Sequence, residues 1–109
     1  MNYKVKTVPK FEKELKRLVK NIHAQKWVYL ELIQSLKQQP GQGTPLDNNC
    51  FKIRLAIVSK GKGKSGGARV ITYVHISQTS VYLLTIFDKS EQENIADKEL
   101  ADLLKLIPE

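Results

Sequence analysis

Ala68-Arg69-Val70-Ile71-Thr72-Tyr73-Val74-His75-Ile76-Ser77-Gln78-Thr79-Ser80-Val81-Tyr82-Leu83-Leu84-Thr85-Ile86-Phe87 is the stretch from which the fold can be read. Arg69 to Ile76 and Val81 to Phe87 are rich in β-branched and aromatic residues, and the turn-like Ser77-Gln78-Thr79-Ser80 separates them. The two runs are expected to pair as a β-hairpin. Upstream, Phe51-Lys52-Ile53-Arg54-Leu55-Ala56-Ile57 alternates apolar with basic or small residues. As a strand it turns Phe51, Ile53, Leu55 and Ile57 toward a core and Lys52 and Arg54 the other way. Ser59 to Gly67 is then a Gly/Lys loop between strands. The short run Tyr3 to Val8 also alternates and stops at Pro9, so it reads as a first strand with Lys4 and Lys6 on one face.

The remaining segments carry helical spacing. Phe11, Leu15, Leu18, Val19 and Ile22 recur on one side of a run that begins at Pro9, with Lys13, Lys16, Arg17 and Lys20 on the other. A second run through Trp27, Val28, Leu30, Leu32, Ile33 and Leu36 ends at Pro40-Gly41, and the short link between the two predicts a helical hairpin. In this reading Trp27 packs between helix and sheet. Gln42 to Cys50, with its Gly, Pro and Asn, is a loop. Ser90 to Ile107 places Ile95, Leu100, Leu103, Leu104 and Ile107 at helical spacing opposite acidic residues. The order β-α-α-β-β-β-α describes an α+β fold: a small, antiparallel-rich four-stranded sheet with an N-terminal helical hairpin and a C-terminal helix, the helices covering one face. One domain over residues 1–109 is expected, with no repeat or linker.

Of 109 residues, 41% are hydrophobic and 27% charged, with 6 Gly and 4 Pro, which excludes disordered and collagen-like classes. No apolar stretch approaches the ~18 residues of a spanning helix, and Met1 to Lys6 lacks the apolar run of a signal peptide, so a cytoplasmic protein with no membrane partner is expected. The single cysteine, Cys50, excludes an internal disulfide and a multi-thiolate zinc site, and reads as a small hydrophobe. Net charge is +7, unevenly placed: residues 1–75 hold 15 Lys+Arg against 4 Asp+Glu, residues 76–109 hold 3 against 7. Such a surface attracts a polyanion, and nucleic acid is the expected one.

Several segments are candidates for chemistry. Lys60-Gly61-Lys62-Gly63-Lys64-Ser65-Gly66-Gly67 contains the Gly-Lys-Ser of a phosphate-binding loop. A Walker loop requires a glycine where this chain has Val58 and must lead into a helix, whereas Ala68 to Ile71 leads into a strand, so nucleotide hydrolysis is not expected. Lys60, Lys62 and Lys64 can instead lie along an RNA backbone, or form a solvated hairpin tip. If the strands around Arg54 and Arg69 are antiparallel neighbours, Lys52, Arg54 and Arg69 share one sheet face, which Lys4 and Lys6 extend. Like charges set side by side call for an anion between them. Tyr73, and Tyr82 beside it, can stack a base or belong to the core. His75 shares parity with Arg69 and Tyr73. His23, at a helix end, reads as structural. No metal-ligand constellation or cofactor motif is present.

Lys52-Ile53-Arg54-Leu55, the Gly/Lys loop, Gly67-Ala68-Arg69-Val70-Ile71-Thr72-Tyr73 and Leu83-Leu84-Thr85-Ile86-Phe87-Asp88-Lys89-Ser90-Glu91 together resemble the RelE toxins of the RelE/ParE superfamily, in particular a HigB-like branch with a long loop. The resemblance covers nearly the whole chain. It implies a type II toxin–antitoxin toxin: an endoribonuclease that enters the ribosomal A site, cleaves mRNA there, stops translation, and is neutralised by a cognate antitoxin. It further implies that Lys52, Arg54 and Arg69 are catalytic. Lys89 lies in the family's basic segment after the last strand. The chain departs from the family twice: Ser90 stands where a nearby arginine belongs, and Asn94, Ile95 and Ala96 offer no match for the C-terminal catalytic tyrosine.

RNA cleavage by its own 2′-hydroxyl needs in-line attack on phosphorus, removal of a proton, stabilisation of the growing negative charge and protonation of the leaving 5′-oxygen. Arg54 and Arg69 suit charge stabilisation because guanidinium forks match phosphate oxygens. Lys52 is the candidate base provided that its cationic neighbours Arg54 and Arg69 favour its deprotonated form, and Lys89 is the candidate acid. A site without a histidine pair is a weak free nuclease, and alignment of the message by the ribosome would supply much of the barrier reduction. The competing readings are a ParE-like gyrase inhibitor and an RNA- or ribosome-binding module without a reaction. The free chain is expected to be a monomer, with a cognate antitoxin, the ribosome and mRNA as partners.

Overall fold

The computed structural model describes residues 3–18, 22–55, 67–92 and 94–108. Its elements are β1 (Lys4–Thr7), α1 (Pro9–Leu18), α2 (Ile22–Gln38), β2 (Thr44–Pro45), β3 (Cys50–Leu55), β4 (Ala68–His75), β5 (Ser80–Asp88) and α3 (Asp97–Leu104), with a 3-10 turn over Ile76–Gln78. The sheet runs β1-β5-β4-β3-β2, with β1 parallel to β5 and every other pairing antiparallel. The expected β4–β5 hairpin is the centre of this sheet. Its connection is closed by Thr79, at φ 52, whose N–H donates to the Ile76 carbonyl at 3.1 Å.

Within the hairpin, Ile71 faces Thr85 but Thr72 faces Leu83, so Leu84 is the extra residue of a β-bulge. Ser80 through Ile86 are all buried, because β5 is inside the sheet and covered on both faces. That explains its unbroken apolar run where an exposed strand would alternate.

The sheet has five strands where the sequence pattern suggests four. The additional β2 has two residues, pairs Thr44 with Lys52 and Pro45 with Phe51, and lies within the segment read as a loop. An edge position tolerates Pro45, whose missing N–H would break an interior ladder. Asn48 and Asn49, both at φ 60, make the β2–β3 turn, and the Cys50 N–H donates to the Asp47 carbonyl at 3.2 Å. Two successive positive φ angles are what a type I′ hairpin demands, and asparagine tolerates them. Gly43, at φ 99, admits no side chain: a Cβ there would stand 2.5 Å from the Lys52 carbonyl oxygen.

α1 buries Phe11 and Leu15, four apart, and exposes Lys13, Lys16 and Arg17. β1 pairs only with Ser80–Leu83, and beyond it Lys10 and Glu14 of α1 reach Thr85. The Thr85 hydroxyl donates to Glu14 Oε1 at 2.6 Å, and Lys10 pairs with Glu14 Oε2 at 2.7 Å. α2 contributes Leu32 and Leu36 to the core. Trp27 does not pack between helix and sheet, contrary to the sequence expectation: it is 69% exposed. The buried stripe follows Leu32 and Leu36 with half-buried Tyr29 beside them, and at 100° per residue Trp27 lies well off it.

α3 is shorter than the expected Ser90 to Ile107. The Asp88 carboxylate accepts from both the N–H and the hydroxyl of Ser90 at 2.9 Å, which makes a turn instead of a helix start. At the other end, Leu106 N–H to Leu103 O and Ile107 N–H to Leu104 O tighten the chain into i→i+3 bonds. Leu100 and Leu103 are buried. Leu103 and Leu106 share a cleft with Thr85 and Phe87, and Leu104 and Ile107 share another with Tyr73 and His75. By strand register these four sheet residues lie on the face of Lys52, Arg54 and Arg69. The helices therefore do not all cover one face. α3 runs over the cationic side, and the opposite side, with buried Ile53, Val70, Val81, Leu83 and Ile86, falls to the N-terminal helices. No helix among the described residues is long and apolar enough to cross a membrane.

Candidate functional site

Strand pairing assembles the cationic centre. β3 and β4 are antiparallel with Arg54 directly opposite Arg69 and Lys52 opposite Ile71, so alternation sends Lys52, Arg54 and Arg69 to one face. Opposite residues have Cβ atoms ~4.5–5.5 Å apart, which puts the two guanidinium stems side by side. Arg54 is exposed, Lys52 half-buried and Arg69 only 5% exposed. Arg69 Nη1 donates to the Ala68 carbonyl at 3.2 Å, which turns the guanidinium back along its own strand. Lys89 follows β5 and keeps its ladder going, its N–H donating to the Gly67 carbonyl at 3.2 Å. It shares parity with Phe87, the partner of Arg69, and its side chain is exposed at this end of the face.

The ion pairs Lys10–Glu14 and Asp102–Lys105 do not involve Lys52, Arg54, Arg69 or Lys89. Cations set side by side on adjoining strands are an arrangement that can hold an external anion. The planar forks of Arg54 and Arg69 fit a phosphate.

The segment leading into α3 closes one side of the centre. Lys52 Nζ donates to Asn94 Oδ1 at 2.9 Å. Gln92 Nε2 donates to the Asn94 carbonyl at 2.8 Å and to Glu99 Oε1 at 3.1 Å, tying that segment to the first turn of α3. Asn94 thus brings an amide to the lysine at the place where the family resemblance leads one to look for a phenol. The contact spans 42 residues of sequence, and no local pattern announces it.

Lys4 and Lys6 are exposed on the same face, but β5 and β4 stand between them and β3. Three strand spacings place them ~14 Å from the centre, at the edge of the face. Lys6 Nζ lies 5.7 Å from the Tyr82 ring centroid, Tyr82 is 6.5 Å from Tyr73, and Tyr73 meets His75 edge-on at 5.8 Å. Tyr73 is half-buried and Tyr82 buried, so Tyr73 offers a ring to a ligand while Tyr82 backs it. Lys60, Lys62, Lys64 and the His23 side chain lie outside the described residues. Cys50 is fully buried, its Sγ 3.6 Å from the Asn48 carbonyl, and burial pushes its thiol up to about 11, which unfits it as a nucleophile. Among the described residues no three His, Cys, Asp or Glu side chains group to hold a metal ion.

The family described as the RelE toxin of the RelE/RelB toxin–antitoxin system matches residues 10–108. The chain belongs to this RelE toxin family. Solved structures share its fold. A doubly substituted mutant of the Escherichia coli toxin RelE in the free state aligns at a TM-score of 0.64 and 15% identity, over 99% of this chain and 100% of that one. The same toxin mutant in complex with an antitoxin RelB peptide aligns at 0.56 and 18%, over 99% and 100%. A RelBE toxin–antitoxin complex from Mycobacterium tuberculosis aligns at 0.55 and 15%, over 80% and 91%. For this RelE-family chain, the five-stranded sheet with three helices is thus the family's α+β architecture.

Proposed function

We propose that this RelE-family toxin is a ribosome-dependent endoribonuclease that cleaves mRNA in the A site and so inhibits translation in the cytoplasm. The Arg54–Arg69 pair on adjoining strands, with Lys52 beside it on the same face, carries the reading. In this reading the two guanidinium groups hold the scissile phosphate and stabilise the charge that builds on its oxygens. Lys52 in its neutral amine form, oriented by Asn94, takes the 2′-hydroxyl proton and becomes the ammonium, and the Lys89 ammonium at the open end of the face delivers a proton to the departing 5′-oxygen. Lys4, Lys6 and the loop lysines Lys60, Lys62 and Lys64 contact flanking phosphates, and Tyr73 stacks a base.

Lysine and arginine hold protons firmly at neutral pH, so such a site is a poor catalyst unless its substrate is aligned from outside. Alignment on the ribosome is worth several orders of magnitude in rate, which is why dependence on it belongs to the same reading. RelB-type antitoxins bound to RelE toxins support a cognate antitoxin as the neutralising partner here.

Induction of the wild-type chain beside Arg69→Ala, with mRNA ends mapped by primer extension with and without ribosomes, tests this. Cuts inside reading frames that need ribosomes and fall at least 100-fold in Arg69→Ala are expected. Growth arrest with intact message would overturn the nuclease reading in favour of a ParE-like target such as gyrase.

A further inference from the structure

The end of the cationic face farthest from Arg69 holds a cleft of about 450 Å³, lined by Asn48, Asn49, Tyr73, His75, Leu104 and Ile107. We propose that this cleft takes one unpaired RNA base, with Tyr73 and His75 as the stacking surface and the side-chain amides of Asn48 and Asn49 reading the edge of the base. The proposal rests on the RNA-cleaving reading above and gives that site a second hold on its substrate, one that distinguishes bases.

Four residues of one strand and one face separate Tyr73 from Arg69, a run of ~13 Å at the rise of a β-strand. Ile71, midway between them on that face, is fully buried, so an RNA strand with a phosphate at the exposed Arg54 reaches the cleft over the covering segment and not along bare sheet. Tyr73 and His75 meet at 76°, so a base lying flat on one ring meets the edge of the other. The His75 ring is steadied by Ser77, whose hydroxyl lies 3.2 Å from Nδ1, and Leu104 and Ile107 make the cleft's apolar wall. The backbone carbonyls of Asn48 and Asn49 are engaged by Cys50 Sγ and by the Val74 N–H at 2.9 Å, which fixes the turn against β3 and β4. Both asparagines are exposed, and no hydrogen bond among the described residues uses their side-chain amides. An amide offers a donor and an acceptor on one plane, the pairing that base edges present.

The positive φ at both positions is satisfied by glycine as well as by asparagine. The amides can therefore be removed without removing the turn, by the double variant Asn48→Gly with Asn49→Gly. Four fluorescein-labelled 2′-O-methyl pentaribonucleotides that differ only in the central base, titrated against the full chain by anisotropy, provide the readout. The methyl groups block the attacking hydroxyl, so binding is measured without cleavage. The wild-type chain is expected to separate the best and worst base by at least fivefold. The double glycine variant should keep the weakest affinity within about twofold, with a melting temperature near wild type, and collapse the spread below twofold. Tyr73→Ala should weaken all four at least fivefold, as loss of one stacking platform does. Absence of binding by the wild-type chain, a wild-type spread below twofold, or a double glycine variant that keeps the full spread overturns the cleft. Base discrimination by a chain that leaves mRNA intact on ribosomes keeps the cleft and removes the nuclease reading, and cleavage with an unaltered glycine variant does the reverse.

Discussion

Cys50 is a case in which one residue carries a pH dependence for the fold. Its thiol is enclosed, and burial raises it from 9.0 to about 11. The folded state therefore holds a proton that the unfolded chain has already released, and unfolding is favoured as that proton leaves. The stabilisation is complete below pH 9 and is lost as pH rises toward 11, on the order of 2 kcal/mol. The urea midpoint is expected to fall across that window, and to fall less in Cys50→Ala, which has no thiol to ionise. Equal slopes for the two chains would show that another group governs the loss. The sequence marks Cys50 as a small hydrophobe at the end of a loop, and its burial at the start of β3 came with the fold. The Lys52–Asn94 bond was not legible either, because it joins residues that only the folded chain brings within reach.

At the scale of elements, β3 was legible because its side chains alternate, and β4 and β5 because they are rich in β-branched and aromatic residues and a turn-like segment separates them. α1 was legible for the matching helical reason. β2 escaped notice because two residues, one of them proline, make no pattern, and its existence depends on the edge that β3 offers. α3 was seen but misplaced, since periodicity marks an apolar side without saying which sheet face it meets. With eight residues, α3 is too short to hold helical structure unaided, so its order depends on Leu100 and Leu103. Leu103→Ala is expected to cost ~2–3 kcal/mol. Hydrogen exchange should show α3 amides opening at least tenfold faster with β4 and β5 unchanged. Wild-type exchange in α3 would mean that the helix is held by something other than its apolar side.

For the whole molecule, net charge of +7 matters through its arrangement. Lys52, Arg54, Arg69 and Lys89 converge on one end of one face, and if all four engage phosphates, log–log affinity for single-stranded RNA should fall with salt at a slope near −3, from about −0.7 per contact. Arg69→Ala should flatten that slope by about 0.7, whereas a slope unchanged by the substitution would place Arg69 off the RNA path. The amino-acid sequence by itself determined the α+β class, the order of the main elements, the family, and the shared parity of Lys52, Arg54 and Arg69. These depend on local periodicity and on alternation along single strands. Only the tertiary structure decided that Arg54 stands opposite Arg69, that α3 lies over the cationic face, that Asn94 meets Lys52, that Trp27 faces outward, and that Asn48 and Asn49 border a cleft with Tyr73. Each of those is a contact between residues distant in the chain or a choice between two faces of one element, and it is set by how apolar surfaces are shared out when the whole core closes.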